Sequence, residues 1–359
     1  MTRIDDVARL AGVSTATVSR ALRGLPTVSE ATRVRVVAAA AQLGYSASPS
    51  ASRLAGGRTG AVAVVVPRIT RWFFATVVEA AEEALRAEGY DLLLYNLGGK
   101  EETRQRLLRT AVLRKRVDAV MLVATPLQGA DFAAVTGLDL PGVTVSSGTE
   151  VLGWPSIRID DVAAARTATE HLLTLGHRRI AHISGDLDDE LAFTTHIDRR
   201  RGYQDALRAA GIEPDPSLDV DAPFTVMGGR RATTLLLELD EPPTAIFAAC
   251  DEMAMGALAT LREAGLRVPV DISVIGVDDH DLAGAVGLST VAQPAAEQGR
   301  LAAEKLLSML SAAPPSSGCA ASQVLATRLI VRHSTGPPRS AGIGQASDVS
   351  RLSPADVRR

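Results

Sequence analysis

The chain has 359 residues, with 38 Lys and Arg against 41 Asp and Glu, a formal net charge of −3. That length exceeds what one compact core normally serves and points to two or three domains, while 46% apolar and 22% charged residues exclude disorder of the whole chain. No apolar run approaches the ~18 residues of a membrane span, the first residues lack the pattern of a secretory leader, and two cysteines, Cys250 and Cys319, frame neither a disulfide scaffold nor a zinc finger, so a cytoplasmic protein is expected.

Residues 4–11 predict a short helix with Val7, Ala8 and Ala11 along one stripe. Gly12 stops it, and Ser14 is placed to cap a second helix over 15–22. Ala8, Gly12, Val18 and Ala21 have the spacing of a helix-turn-helix: a small Ala lets the helices approach, Gly takes the left-handed turn, and Val18 fills the crossing. Any αα-hairpin fits those four positions, and charge favours the DNA-binding version. Residues 1–60 carry eight basic and three acidic side chains, whereas the rest carries 30 and 38. A third helix opens at Val28-Ser29, ends at Gly44 and is expected to bury Val34, Val37, Ala38 and Ala41. A stretch of small residues follows, in which Pro49 starts and Gly56-Gly57 ends one or two helical turns.

Beyond residue 60, short apolar runs at 61–66, 91–95, 119–123, 143–145, 180–184, 245–248 and 273–277 predict strands. They alternate with helical stretches at 74–87, 101–114, 161–175, 200–210, 228–239 and 253–264. Continuous apolar strands alternating with helices argue for parallel sheets covered on both faces. There are too many strands for one small sheet, so the expected fold is a helical head on an α/β body of two parallel-sheet lobes. Ligands of such sheets sit at the carboxyl ends of the strands, here in the cleft between lobes. From His333 to Arg359 the chain is rich in Ser, Gly, Pro and Arg without apolar periodicity, and a disordered tail is expected.

Catalytic signatures are missing: there is no phosphate-binding Gly-x-x-x-x-Gly-Lys loop, dinucleotide Gly-x-Gly-x-x-Gly, His-Glu-x-x-His or Gly-x-Ser-x-Gly. The six histidines show no metal-ligand spacing with cysteine, and His177 and His182, flanking one strand, read as structural. No enzyme, cofactor or metal is expected. A nucleotide-dependent α/β enzyme with a DNA-binding head is the alternative; stabilisation by a ligand without its turnover separates the two.

Ile4-Asp5-Asp6-Val7-Ala8-Arg9-Leu10-Ala11-Gly12-Val13-Ser14, then Thr17-Val18-Ser19-Arg20 and Leu43-Gly44-Tyr45, resemble the signature of the LacI/GalR family of bacterial repressors. In the body, Asp160-Asp161, His171 to Ala181, Asp251 to Ala257, Ile272 to Asp279 and Thr290-Val291-Ala292-Gln293-Pro294 are similar to that family as well. The resemblance implies a helix-turn-helix domain over 1–46, a hinge helix and linker over 47–60, and a two-lobed effector-binding and dimerisation domain over 61–332. The tail then occupies 333–359. Three crossings between lobes are expected near Ile159, Leu288 and Ser322.

Carried over residue by residue, Thr15, Ala16 and Arg20 read base edges in the major groove, where Arg can pair with guanine and Thr or Ala can touch a thymine methyl. Thr17, Ser19, Ser29 and Tyr45 contact phosphates. Leu54, with Arg53 beside it among the DNA contacts, is the minor-groove wedge. For the effector, Arg199 grips polar groups, Asp278 accepts from sugar hydroxyls, and Phe224 stacks on the ring. Trp72, Phe73 and Phe74 form a facing wall, or alternatively a hydrophobic plug; Ser146 and Asp251 complete the set. Cys250 and Ser146-Ser147 depart from the polar groups of sugar-responsive members. Those departures point to a smaller or less hydroxylated ligand, or to Asp186, Asp188 or His196 in their place.

The implied function is repression of carbohydrate-utilisation genes by a homodimer on a pseudo-palindromic operator, released by a small-molecule effector, a sugar in the first reading. The alternative within the family is a corepressor-dependent regulator sensing another metabolite. Residues 351–359 are too short for a tetramerising heptad helix, so a dimer through the helix at 74–87 is expected.

Overall fold

The computed structural model describes residues 3–22, 24–45, 58–109, 113, 115–125, 127, 129–147, 154–185, 194–311 and 322–339. The head contains α1 (Ile4–Ala11), α2 (Thr15–Leu22) and α3 (Glu30–Gln42). Val7, Ala8 and Ala11 of α1 are buried, and Gly12 takes the left-handed conformation (φ 65°) that turns the chain into α2. Ser14 Oγ accepts from Thr17 N at 3.2 Å, and Val18 and Ala21 bury against α1. Ser29 caps α3 by accepting from Thr32 N.

The buried face of α3 differs from the expected one. Val36, Ala39 and Ala40 enter the head core, while Val34 and Val37 are 60% and 51% exposed, and Ala38 and Ala41 are exposed with them. Residues 34–41 are apolar on nearly every side of the helix, so spacing alone does not select a face; docking onto α1 and α2 does. The hinge helix expected at 49–55, with Arg53 and Leu54, lies outside the described residues.

The body follows in chain order as β1 (Ala61–Val66), α4 (Trp72–Ala87), β2 (Asp91–Asn96), α5 (Glu101–Arg109), β3 (Ala119–Val123), α6 (Gly129–Thr136), β4 (Gly142–Val145) and β5 (Ser156–Ile159). Then come α7 (Asp161–Thr174), β6 (Ile180–Ser184), α8 (Thr195–Ala209), β7 (Asp219–Asp221), α9 (Val226–Leu237), β8 (Ala245–Ala248), α10 (Asp251–Glu263), β9 (Ser273–Asp278) and β10 (Ser289–Ala292). The chain closes with α11 (Ala295–Ser311), β11 (Gln323–Leu325) and β12 (Arg328–Ile330). The chain forms two compact units, which exchange at Asp160/Asp161, Ala292/Gln293 and Ala326/Thr327, the last two about four residues beyond the expected crossings, and Thr195 groups with the first unit as well.

In lobe one the strand order is β11-β5-β4-β3-β1-β2, and in lobe two β12-β10-β9-β8-β6-β7. All pairings are parallel except β10 with β12. All six residues of β1 and all six of β9 are buried, as strands covered on both faces must be. α4 and α11 close one face of the first sheet so tightly that a Cβ on Gly299 would lie 2.2 Å from the Val77 carbonyl oxygen. In lobe two α9 and α10 meet the same way: a Cβ on Gly229 would lie 2.0 Å from the Met253 carbonyl oxygen.

The expected strands are all present, but β5, β7, β10, β11 and β12 were not anticipated; each has only three or four residues, too few to show a period. α6 and α11 are likewise additions, and α8 starts at Thr195, five residues early. His182 lies inside β6 rather than beside it, sandwiched by Phe247 (centroids 4.7 Å, stacked) and Tyr203 (5.1 Å). Its Nδ1–H donates to the Phe247 carbonyl at 3.0 Å, and burial holds its pKa down at about 3.

The expectation of a disordered tail from His333 is corrected for residues 333–339. His333 N donates to Gly287 O, Val274 N donates to Ser334 O, and Ser334 Oγ, buried, accepts from Ser289 N and donates to Val274 O. Gly336 O accepts from His177 Nε2 at 2.8 Å and Ser273 Oγ at 3.0 Å. Small residues without apolar period can sit against a sheet edge through backbone and hydroxyl bonds, a signal composition does not carry. Among the described residues no helix is long and apolar enough to cross a membrane.

Candidate DNA-binding and effector-binding sites

In the head, α2 divides cleanly. Val18 and Ala21 face the core, and Thr15, Ala16 and Arg20 are exposed on the other side. Thr17 Oγ1 pairs with Ser14 Oγ at 2.9 Å, so Thr17 helps to hold the turn. Ser19 is half-buried. Ser29 is engaged as the cap of α3, its Oγ donating to Thr32 Oγ1 at 3.0 Å, and Tyr45 packs half-buried against the head core. Arg33 Nη2 donates to the Leu25 carbonyl at 3.2 Å, which ties α3 to the loop after α2. This is an exposed helix face of Thr, Ala and Arg whose opposite side is locked by three helices, on a segment of net positive charge.

In lobe two, the carboxyl ends of β6, β8 and β9 gather Arg199, Asp161, Cys250, Asp251 and Asp278. Arg199 is 4% exposed; its Nε donates to Asp161 Oδ1 at 2.9 Å and its Nη1 donates to the Ala249 carbonyl. Burial works against the charged guanidinium, yet Asp161 and Asp278 beside it outweigh that and raise its pKa further. Asp278 closes β9 with φ 134°, followed by Asp279 at φ 61°. Two consecutive non-glycine residues at positive φ are strained, and such strain persists where the surroundings over-determine it. Arg332 Nη2 holds Asp279 Oδ1 at 2.6 Å, and Asp279 N donates to Thr290 Oγ1 at 3.3 Å.

Asp251 is fully buried, with Oδ1 accepting from Thr290 Oγ1 at 2.7 Å and Oδ2 from His280 N at 2.9 Å. Burial and the nearby Asp278 push its carboxyl well above the usual range. It therefore pins β10 and the loop after β9 to α10. Burial, then Asp278, also pushes the Cys250 thiol up, so it is a protonated apolar filler. Phe224, half-buried, lays its ring edge on Gly185: a Cβ there would meet Phe224 Cε2 at 2.2 Å and His196 Cβ at 2.6 Å. His196 is buried in this group, while Asp186 and Asp188 lie outside the described residues.

In lobe one, the aromatic run separates. Phe74 is buried in the core, its ring edge-on to Phe73 at 5.5 Å; Trp72 and Phe73 are half-buried at the start of α4. Ser146, at the carboxyl end of β4 with φ 48°, donates from Oγ to Gln298 Oε1 at 2.9 Å. Ser147 is buried and bonded to the Leu122 and Val145 carbonyls at 3.3 Å. Neighbouring Ala124, ending β3, also has positive φ (43°).

Asp161, Thr290, Gln293 and Gln298 join these groups without having been singled out as site residues. Asp161 and Gln293 stood within recognisable motifs, but Gln298 lies on a helix that was not anticipated.

Comparison with known proteins extends these observations. Residues 3–48 match the model of bacterial regulatory proteins of the lacI family, and residues 169–335 match a periplasmic binding protein-like domain. The chain is 35% identical over 333 residues to the HTH-type transcriptional repressor CytR of Escherichia coli strain K12, covering 92% of this chain and 95% of that protein. It is similar in structure to the lac repressor dimer bound to operator and the anti-inducer ONPF (TM-score 0.80, 28% identity, 93% of this chain and 99% of that one). It also resembles a complex of the transcriptional regulator CelR with cellobiose (TM-score 0.68, 32% identity, 93% and 100%). With a helical DNA-binding head, two parallel-sheet lobes and relatedness along nearly its whole length, the chain belongs to the LacI family of bacterial regulators, effector-controlled transcriptional repressors and not enzymes.

Proposed function

We propose that this repressor acts in the cytoplasm as a homodimer on a pseudo-palindromic operator, and that a small hydroxylated metabolite sets its affinity. Thr15, Ala16 and Arg20 are assigned to base edges, and Ser19 and Tyr45 to phosphates. The observation that carries the effector reading is the buried Arg199 beside Asp161 and Asp278. A guanidinium and a carboxylate side by side in low dielectric present donors and acceptors in one place, which suits adjacent hydroxyls. Phe224 supplies an apolar surface for a ring. Asp251 acts as a positioning residue behind Asp278.

The solved relative that holds cellobiose supports a carbohydrate as the first class to test. The ligand acts only through differential affinity for two states of the protein, and such coupling is typically ~1–3 kcal/mol. The test is a thermal-shift screen of the full chain against free sugars and nucleosides, repeated on Asp278→Asn and Arg199→Lys. A ligand at a hundred times its Kd stabilises by about 2.7 kcal/mol. Both variants are expected to lose that response while still binding operator DNA. A full response in both removes Arg199 and Asp278 from the site.

A further inference from the structure

The helix α11 touches both ends of lobe one. Near its start, Gln298 is fully buried, accepting from Ser146 Oγ at 2.9 Å and donating from Nε2 to Gln293 Oε1 at 3.0 Å. Ser146 stands at the carboxyl end of β4, and Gln293 is the first residue of the chain's return to lobe one. At the other end of α11, Arg58 Nη2 donates to the Leu310 carbonyl at 2.6 Å. That carbonyl is among the last four of the helix, which have no intrahelical donor and carry the negative end of its dipole. No basic residue lies in the last turn of α11 itself, so the cation comes from Arg58, 252 residues away.

Arg58 lies in the segment 47–60 that the sequence assigns to the hinge helix and linker, and it is the first described residue after Tyr45. The two residues after it are clamped as well. Thr59 N and Oγ1 donate to Asp118 Oδ1 at 2.7 and 3.0 Å, and Gly60 N donates to Asp118 Oδ2 at 2.8 Å. The chain thus enters β1 held between the end of α11 and the residue before β3. Between its ends α11 cannot flex freely: Ala302, Ala303, Leu306 and Leu310 are in the core, and Gly299 abuts the backbone of α4. Its 17 residues span about 25 Å.

We propose that Arg58 is a positioning residue for operator binding: by capping α11 it fixes where the hinge segment leaves lobe one. α11 carries the state of the Ser146–Gln298–Gln293 end to that point. This second step rests on the assignment of Ser146 to the effector end.

The test uses the full chain and a duplex that the wild-type protein selects from a random-core library, with a scrambled duplex beside it. Arg58→Ala is expected to weaken the selected duplex about tenfold, to leave the scrambled one nearly unchanged and to keep the salt slope. Arg58→Lys, which keeps a cation and a donor, is expected to recover most of the loss. A phosphate contact by Arg58 would instead weaken both duplexes and lower the salt slope by about one. That result, or wild-type affinity in Arg58→Ala, overturns the positioning role. A double-mutant cycle of Ser146→Ala with Arg58→Ala tests the link without any effector. Independent sites this far apart add to within about twofold, so coupling above about threefold is expected, and additivity removes α11 as the carrier. If the cycle couples while Asp278→Asn and Arg199→Lys keep a full ligand response, the effector assignment falls and the α11 link stands.

Discussion

Lobe one and lobe two have the same strand order, and the sixth strand of each comes from beside the third crossing, β11 just before it and β12 just after, yet the buried polar groups built on them differ. The carboxyl end of lobe two is ionic: Arg199 is buried against Asp161 with Asp278 beside it, and Asp251 lies buried behind Asp278, bonded to Thr290 and His280. In lobe one the ends of β3 and β4 carry neutral groups, Thr125, Ser146 and Ser147 with the amides of Gln298 and Gln293, and the buried ion pair of Arg104 with Asp131 lies on α5 and α6. All six histidines belong to lobe two, whereas both tryptophans, Trp72 and Trp154, belong to lobe one. Lobe one, in turn, holds the attachment of the hinge through Arg58 and Asp118. If the proposed assignments hold, one topology serves two tasks, since a buried charge carries a desolvation cost that its partners must offset, whereas a neutral hydrogen-bonded group on a packed helix does not.

The largest expected effects come from the helix pairs that close each lobe. A methyl group on Gly229 would sit 2.0 Å from the Met253 carbonyl oxygen, and one on Gly299 would sit 2.2 Å from that of Val77. Backbone cannot retreat as a flexible side chain can, so Gly229→Ala and Gly299→Ala are each expected to cost about 3 kcal/mol in urea unfolding. Their consequences should differ. Gly299→Ala displaces a helix bonded to Ser146 and Arg58 and is expected to weaken DNA binding in the folded protein; Gly229→Ala is expected to lower stability alone. Equal effects on DNA binding would remove the distinction between the lobes.

Acid should find lobe two first. Burial lowers the pKa of His171, His177, His182 and His280, and that of His182 to about 3. A histidine whose folded pKa is depressed contributes stability that is complete above its unfolded value of about 6.5 and is lost as pH falls toward the folded value. For His182, enclosed by Tyr203 and Phe247 and near Arg200, Arg199 and His196, the loss approaches ~1.4 kcal/mol per pH unit in that window. Hydrogen exchange at pH 6.5 and 4.5 is expected to show β6 and β8 losing protection while β1 and β3 change less, with tryptophan fluorescence reporting lobe one. Protection lost equally in both sheets would contradict this.

These contrasts were legible in the sequence to different depths. The stripe of Val7, Ala8 and Ala11, the turn at Gly12 and the apolar strands could be read locally, because each is a pattern within one element. The face of α3 could not, since an alanine-rich helix offers several apolar sides and only its neighbours select one. At the carboxyl end of lobe two, Arg199 and Asp278 could be named from the sequence but their partners could not: Asp161, Arg199, Ala249 and Asp278 come from four elements, and only the parallel sheet brings them together. Asp251 shows the limit best, because its motif draws attention to a carboxylate whose two oxygens are taken by Thr290 and His280. Arg58 had only its charge to mark it, and its partner is a backbone carbonyl that no sequence pattern specifies.

The edges opposite β2 and β7 give the smallest and most local contrast. In lobe two the residues after β12 fold back onto the starts of β9 and β10: Ser334 Oγ accepts from Ser289 N at 2.8 Å and donates to Val274 O at 2.6 Å, with Ser289 fully buried. In lobe one the edge strand β11 is open, and Val324 is 52% exposed. Ser334→Ala removes the hydroxyl that accepts from the buried Ser289 N–H, which is expected to cost ~1–3 kcal/mol. Val324→Thr on the open edge is expected to change stability by less than about 0.5 kcal/mol, as exposed substitutions usually do. Urea midpoints for the two variants decide it. If Ser334→Ala is as mild as Val324→Thr, the segment after β12 merely lies on lobe two; if it is not, residues 333–336 are part of that lobe's fold.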